Sequence, residues 1–253
     1  RKVRQIVDFY SDPKGQPLLG HGNRALVHFA VDDDEVWMTT RLAGSKTYFL
    51  PFNRGTVDGA AGNPPNPDGP ASSYLWERVL QRDAWLNILG ALLFVRHEEQ
   101  TDPISGKKSK SSTILFPRFH QWEAVTALVD AARVEGPGQR YLIQHSAGSG
   151  KTNSIAWTAH RLARLHDEHD AKVFDTVLVI TDRTVLDDQL QAAVRQIDDR
   201  ADLVVTIDDT EIRKAGSKSR ALAKALEDKR LIVVVTIQTF PFVMAELAEN
   251  ATL

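Results

Sequence analysis

The chain of 253 residues contains no cysteine, no long apolar run and no large excess of one charge. The absence of cysteine excludes disulfides, thiolate zinc sites and cysteine nucleophiles, and it fits a reducing compartment. No apolar stretch reaches the roughly 18 residues of a membrane-spanning helix, and no signal-like segment opens the chain. With 31 basic and 33 acidic residues, the net charge of −2 excludes an overall basic nucleic-acid-binding protein. These absences predict a soluble, cytoplasmic protein without membrane contact, in which any contact with DNA is local.

The clearest positive feature is a glycine-rich turn that ends in Lys-Thr, within Gln-His-Ser-Ala-Gly-Ser-Gly-Lys-Thr at residues 144–152. Gly148 and Gly150 let the backbone turn tightly and direct its N–H groups inward. Lys151 can reach the β- and γ-phosphates of a nucleotide, and the Thr152 hydroxyl can ligate Mg²⁺. The turn therefore predicts a binding site for ATP and Mg²⁺, formed by Ser146, Ala147, Gly148, Ser149, Gly150, Lys151 and Thr152.

The surroundings of this turn match what a phosphate-binding loop requires. The apolar run 140–144 predicts a buried strand, and apolar residues at helical spacing predict a helix over 152–166. The following helix would direct its positive N-terminal end at the same anion. The strict loop pattern has glycine where this chain has His145. The variant without that glycine is typical of superfamily 2 helicases and translocases, which this segment resembles.

The first part of the chain has a different pattern of predicted secondary structure. Residues 25–31 and 35–40 predict a hairpin with an acidic turn, and the Gly-, Pro- and Asn-rich stretch 54–73 excludes regular structure. Residues 73–95 predict one amphipathic helix, whose core-facing residues would be Leu75, Trp76, Val79, Leu80, Leu86, Leu89 and Leu93. The polar stretch 97–113 predicts a linker or loop. Contact between its lysines and DNA phosphates is the alternative interpretation.

From residue 114 onward, helix and strand signals alternate. The predicted helices are 121–133, 152–166, 185–196, 218–228 and a terminal one, and the predicted strands are 140–145, 173–181, 203–207 and 231–236. Strands separated by helices indicate βαβ units, and apolar strands without alternation indicate a parallel sheet covered on both faces. The fold class predicted for residues 114–253 is therefore α/β. By resemblance to superfamily 2 this domain is a RecA-like first motor lobe.

The same resemblance assigns roles to residues outside the loop. Gln121 precedes Lys151 by 30 residues, the place of the glutamine that selects adenine in superfamily 2. A glutamine that merely begins a helix is the alternative. Two strand ends resemble the superfamily's DNA-phosphate contacts, which implies a DNA-binding role for Thr181, Arg183, Thr236 and Gln238.

Taken together, the motifs resemble the motor (R) subunit of type I restriction endonucleases over nearly the whole chain. The segments that carry this resemblance are Thr-Thr-Arg-Leu-Ala-Gly at 39–44, Phe-Leu-Pro-Phe-Asn-Arg-Gly at 49–55, Gly-Asn-Pro-Pro-Asn-Pro at 62–67, Tyr-Leu-Trp-Glu at 74–77, and residues 119–121, 144–152 and 236–242. The resemblance implies ATP-driven translocation of double-stranded DNA before cleavage. It also implies an N-terminal PD-(D/E)xK nuclease domain, and modification (methyltransferase) and specificity subunits as partners.

The departures from that family define the expected domain organisation. Residues 1–96 would be the C-terminal part of the α+β nuclease domain with a connecting helix, and residues 114–253 an incomplete first motor lobe. No nuclease Asp or Glu-x-Lys is identified, and those catalytic residues are expected outside the chain. Gln5 and Tyr10 resemble the element that follows them, with a spacing one residue too long. No D-E-A-H box is present, so we expect a fragment that binds nucleotide without turning it over.

Two other functions remain open from the sequence. Another superfamily 2 machine, such as a DNA-repair helicase, would share residues 115–253 but has no reason to carry Leu-Pro-Phe-Asn-Arg-Gly. A non-catalytic nucleotide-binding module would tolerate the loss of Lys151.

Overall fold

The chain divides into two compact units, Arg1–Glu123 and Ala124–Leu253. Gln5, Tyr10 and the predicted terminal helix lie outside the residues that the structure describes. Within the described residues, no helix is both long enough and apolar enough to cross a bilayer. The computed structural model describes residues 25–56, 58–101, 108–182, 184–197, 204–206, 213 and 215–237.

The first unit contains an antiparallel sheet in the order β1-β2-β3, with β1 at His28–Val31, β2 at Val36–Thr39 and β3 at Leu50–Pro51. The predicted hairpin is confirmed. Its acidic turn is closed by Asp32, whose Oδ1 accepts the backbone N–H groups of the second and third residues after it at 2.8 and 2.9 Å. An Asp side chain that bonds its own turn in this way stabilises the chain reversal between two strands.

The Asn- and Pro-rich stretch, residues 54–73, is irregular, as predicted. Asparagine side chains in it and just before it hydrogen-bond to the chain next to the sheet. Asn63 donates from Nδ2 to the Asp34 carbonyl at 2.8 Å, and its Oδ1 accepts the Arg54 N–H at 2.8 Å. Asn53 accepts the Val36 N–H at 2.8 Å. Side-chain amides supply these bonds because a segment without regular structure cannot satisfy backbone groups through its own ladder.

The prediction of a single amphipathic helix over residues 73–95 is wrong. Two π-helical turns, Leu75–Val79 and Ile88–Leu92, flank a short helix α1, Arg82–Asn87. Gln81 between them is extended, with φ −63° and ψ 143°. The wider i→i+5 turn and this break rotate the faces away from regular helical spacing. Leu75 and Val79 are buried as predicted, Leu89 and Leu93 are half-buried, and the predicted core residues left exposed are Trp76, Leu80 and Leu86.

Aromatic side chains form the core of the first unit. Phe52 is fully buried and contacts the rings of Phe29 and Phe119 edge-on, with centroids 5.3 and 5.9 Å apart. The Tyr74 hydroxyl donates to the Phe52 carbonyl at 2.7 Å. Burial raises the pKa of Tyr74 above its ordinary value, so its hydroxyl stays protonated as a donor. The Leu-Pro-Phe-Asn-Arg-Gly segment thus supplies the central ring of this core.

A second correction concerns residues 97–113, predicted as a linker. They belong to a two-stranded antiparallel hairpin of β4, Phe94–Thr101, and β5, Lys108–Leu115, in which Phe94 pairs with Leu115 and Thr101 with Lys108. Among the described strands this pair forms a sheet of its own. The hairpin lacks an apolar face along most of its length, which is why its sequence has the polar composition of a loop.

The second unit is α/β, as predicted. Three parallel strands, β6 at Val177–Thr181, β7 at Val204–Thr206 and β8 at Ile232–Thr236, lie in the order β6-β8-β7. The helices are α2 at Phe119–Glu135, which runs across the boundary between the units, α3 at Lys151–Leu162, α4 at Thr184–Ile197 and α5 at Lys218–Glu227.

The central strand explains the absence of polar alternation in these strands. All five residues of β8 are buried. Ile232 and Val234 pack with residues of α3 and α4 on one face of the sheet. Val233 and Val235 pack with residues of α5 on the other face. A strand that is covered on both faces buries every side chain, so an apolar run is the expected sequence.

The prediction of a strand over residues 140–144 is also wrong. These residues form no strand, and Leu142 is 91% exposed. Within the described part of the chain, no strand pairs with this segment. An apolar run becomes a strand only when its N–H and C=O groups find a neighbouring ladder, so hydrophobicity alone did not decide its conformation.

Candidate nucleotide-binding site

The glycine-rich turn adopts the conformation that its sequence predicts. Gly148 and Gly150 have φ angles of 74° and 81°, in the left-handed region that side-chain-bearing residues resist. A Cβ built on Gly148 would meet no atom within 4 Å. The glycine at 148 is therefore needed for backbone conformation rather than for lack of space, and the space above this loop position is open to a ligand.

Helix α3 begins directly at the end of this turn. Gly150 is its N-cap, and the Gly150 carbonyl accepts the N–H groups of Asn153 and Ser154 at 3.0 and 3.4 Å. Lys151 and Thr152 are the first two helical residues, whose N–H groups have no acceptor within the helix. These amides and the positive end of the helix dipole favour an anion at this end of α3.

The side chain of Lys151 is exposed and folds back over the loop. Its Nζ donates to the carbonyls of His145 and Ser146 at 3.1 and 2.9 Å. The ammonium group is thereby held beside the turn, where a bound phosphate would meet it. Thr152, half-buried, follows it in the helix. Amides, an ammonium group and a hydroxyl form a donor set that fits a nucleotide triphosphate with Mg²⁺.

A groove of about 370 Å³ adjoins the loop, a feature that sequence reasoning missed. Its polar side chains include His145, Lys151 and Ser154, and an apolar wall is supplied by residues 177–180 of β6. Ser154 is 7% exposed, and its buried Oγ has no hydrogen-bond partner. Its only sequence signal was its place three residues after Lys151, which is also an ordinary position in a helix.

Gln121 lies in the first unit, whereas the phosphate loop lies in the second. Its side chain is 3% exposed, and its Oε1 accepts the backbone N–H of Arg118 at 2.9 Å. A glutamine in the first turn that reaches back to the residue before the helix satisfies an N-terminal backbone donor. This geometry gives Gln121 a helix-capping role, and selection of adenine stays a prediction.

One pair of substitutions separates these two roles. We expect Gln121→Ala to lower the free energy of unfolding by about 1 kcal/mol, because the part-buried Arg118 N–H loses its acceptor. Gln121→Glu keeps an acceptor oxygen and should retain stability, but it loses the amide N–H that adenine N7 would accept. Titration with ATP and GTP checks the second role. Unchanged preference for ATP in the Glu variant would leave only the capping role.

The threonines predicted to contact DNA lie side by side. Thr181 and Thr236 are paired in register at the carboxyl ends of β6 and β8. Both residues are buried, at 7% and 5% exposure, and their contact with DNA stays a prediction. Thr236 ends β8, whose five residues are all buried, whereas β6, which ends at Thr181, leaves Ile180 44% exposed. Arg183 and Gln238 lie outside the described residues.

No cluster of three or more His, Asp or Glu residues able to hold a metal ion occurs in the described ranges. At the loop, Mg²⁺ would instead be shared between nucleotide phosphates and the Thr152 hydroxyl.

Comparison with known proteins places this site in a family. Residues 120–252 match the family model described as SWI2/SNF2 ATPase, which is 133 of the 253 residues. The matched span contains Gln121, the whole phosphate loop and all three strands of the parallel sheet. No curated protein and no solved structure matches the chain.

Proposed function

Because the chain belongs to the SWI2/SNF2 ATPase family of superfamily 2 motors, we propose that it powers movement along double-stranded DNA as part of a type I restriction endonuclease. In this proposal residues 114–253 belong to a RecA-like first motor lobe. Residues 1–96 belong to the C-terminal side of a PD-(D/E)xK nuclease domain. Modification and specificity subunits would supply methylation and site recognition.

The observation that carries the ATP-dependent part is the geometry of the phosphate loop. Two left-handed glycines, Gly148 and Gly150, lead directly into the N-terminus of α3. Lys151 is held beside them by two loop carbonyls. Phosphoryl transfer depends mainly on positioning and charge neutralisation, which amides, an ammonium group and Mg²⁺ provide.

The chain's own residues have separable tasks in nucleotide binding. The amides at the start of α3 orient the phosphates, and Lys151 neutralises charge on the β- and γ-phosphates. The Thr152 hydroxyl would hold Mg²⁺, which supplies Lewis-acid stabilisation of the transferred phosphoryl group when bound. Lys151 must exchange its bonds with the carbonyls of His145 and Ser146 for phosphate oxygens. Phosphate oxygens compensate for this exchange because charge-assisted bonds are stronger than bonds to neutral carbonyls.

The restriction assignment draws its support from residues before the family match. Leu-Pro-Phe-Asn-Arg-Gly and Gly-Asn-Pro-Pro-Asn-Pro lie far apart in sequence from the phosphate loop. In the fold the two segments are hydrogen-bonded to each other, because Asn63 donates to Asn53 at 3.1 Å. Both asparagines also form hydrogen bonds with the backbone at the start of β2. A general nucleotide-binding lobe does not need this arrangement, which supports a specialised domain preceding the motor.

A DNA-repair or remodelling translocase is the second candidate. The family match itself favours it, because residues 120–252 fit a broad class of ATPase motors without any restriction-specific element.

Affinity purification separates the two candidates. We expect the tagged protein, expressed in its native host, to co-purify with a methyltransferase subunit and a DNA-specificity subunit. The ATPase activity of the purified complex, rather than of residues 1–253 alone, should rise only on duplex DNA that the specificity subunit recognises in unmethylated form. Lys151→Ala is the matched control, which should assemble normally but hydrolyse no ATP. Stimulation by any duplex, without those two subunits, would support the general translocase instead.

A further inference from the structure

We propose that the β4–β5 hairpin is a DNA-contacting arm, with the strand Lys108–Leu115 directed at the phosphate backbone of duplex DNA. This inference rests on the proposed function, since it assigns part of the DNA contact of the motor to a particular element. It replaces the linker interpretation of the same residues.

The first argument is local charge. Residues 103–122 contain four basic residues and no Asp or Glu, a net charge of +4, although Glu98, Glu99 and Asp102 reduce the net charge of the hairpin itself, residues 94–115, to +1. This is the local basic segment that a nearly neutral protein needs for contact with a polyanion. The basic residues of the segment are Lys107, Lys108, Lys110 and Arg118.

The second argument is the chemistry of the exposed side chains on β5. Each of them carries a hydrogen-bond donor, and none is acidic; they are Lys108, Ser109, Ser111, Ser112 and Thr113. Lysine and hydroxyl side chains are among the groups that most often bond DNA phosphates. Ser112 also lies 2.9 Å from Nδ1 of His97, its cross-strand partner on β4. Because side chains alternate along a strand, Ser109, Ser111 and Thr113 lie on one face of β5 and Lys108 and Ser112 on the other, so both faces present donors.

The third argument is the shape of the element. Eight residues of each strand pair in register, and among the described strands neither pairs with a third. The buried residues described in the hairpin, Phe94 and Ile114, lie at its base. Two-stranded hairpins are only marginally stable alone in water, and a two-stranded β-ribbon has the width that the major groove of DNA admits. A phosphate-bound position would stabilise the exposed part of the ribbon.

The positions of the acidic residues on β4 indicate which strand of the hairpin faces the DNA. In the register, Glu98 is opposite Ser111 and Glu99 is opposite Lys110, so both acidic positions are on the strand away from the outer edge of β5. Phosphates should therefore approach the β5 side. Removing the two acidic charges of β4 should strengthen binding, whereas removing the lysine charges of β5 should weaken it.

The test is the salt dependence of binding to a duplex of random sequence, followed by fluorescence anisotropy with the whole chain. Each neutralised phosphate contributes about 0.9 to the slope of log K against log salt. We expect Lys108→Gln/Lys110→Gln to reduce the slope by about 1.8 and to weaken binding. The matched control, Lys46→Gln/Lys224→Gln, removes two exposed lysines elsewhere and should keep the wild-type slope. Glu98→Gln/Glu99→Gln should bind more tightly than wild type.

Wild-type binding with an unchanged slope in the Lys108/Lys110 variant would overturn the hairpin proposal and leave the DNA motor intact. Failure of the wild-type chain to bind duplex DNA at any salt concentration would overturn both. Thermal unfolding, measured in parallel, should be the same in all three variants and shows that the first unit, which contains the hairpin, remains folded.

Discussion

Replacing Lys151 with alanine is expected to weaken nucleotide binding by about 10- to 100-fold. The lysine supplies the charge-assisted bonds to phosphate, and each such bond contributes about 1.5–3 kcal/mol. Its present partners are the carbonyls of His145 and Ser146, and its side chain is exposed, so the fold should tolerate the change. Titration with a fluorescent ATP analogue and Mg²⁺ measures the affinity, and thermal unfolding checks that stability is retained.

Two further variants make this result specific. Lys224→Ala removes an exposed lysine from α5 and should bind nucleotide as the wild type does. Lys151→Arg keeps the positive charge but replaces a compact ammonium with a planar guanidinium. We expect the arginine variant to lose most of the affinity as well, because the turn is shaped around the smaller group. Equal affinity in Lys151→Ala and wild type would refute the assignment of this loop to a nucleotide's phosphates.

The second large effect is expected from Phe52→Ala in the first unit. Phe52 is fully buried and contacts three other aromatic rings, those of Phe29, Phe116 and Phe119, so its loss leaves a cavity among them. Substitution of a buried phenylalanine by alanine costs about 3–5 kcal/mol. We expect a comparable loss of unfolding free energy, together with faster hydrogen exchange in peptides of the first unit.

Tyr48→Ala is the matched control, because Tyr48 lies four residues before Phe52 and is 76% exposed. Its unfolding free energy should stay within about 0.5 kcal/mol of wild type. Nucleotide affinity of the Phe52 variant shows whether the second unit depends on the first. If hydrogen exchange in the first unit of Phe52→Ala matched that of wild type, the aromatic cluster would not be the core of that unit.

Sequence patterns predicted the second unit well because its elements have strong local signatures. The Ile-Val-Val-Val run of β8 has no polar alternation and proves to be covered on both faces. The helix after the loop begins at Lys151, one residue before its predicted start. The loop itself was predictable because a left-handed turn before a helix requires glycine, and such a requirement is visible in sequence.

Other features of the fold could not be predicted from the sequence, because they depend on contacts between residues that are distant in the chain. The β4–β5 hairpin was read as a linker because its strands are polar along most of their length, and pairing between them is a long-range property. The burial of Thr181 and Thr236 at the carboxyl ends of β6 and β8 also depends on tertiary packing, and their contact with DNA stays a prediction. Trp76 and Leu80 were expected in the core, but a π-helical turn and an extended residue rotated them outward.

The sequence by itself determined the chemistry at the phosphate loop, because glycines, a lysine and a hydroxyl in fixed order dictate both backbone conformation and donor type. It also determined which segments are apolar enough to form a sheet between helices. Only the tertiary structure decided which strands have partners, which polar side chains are buried, and that Gln121 caps its own helix. Those outcomes depend on hydrogen-bonding and packing partners distant in sequence, whereas the loop's conformation depends on its own residues.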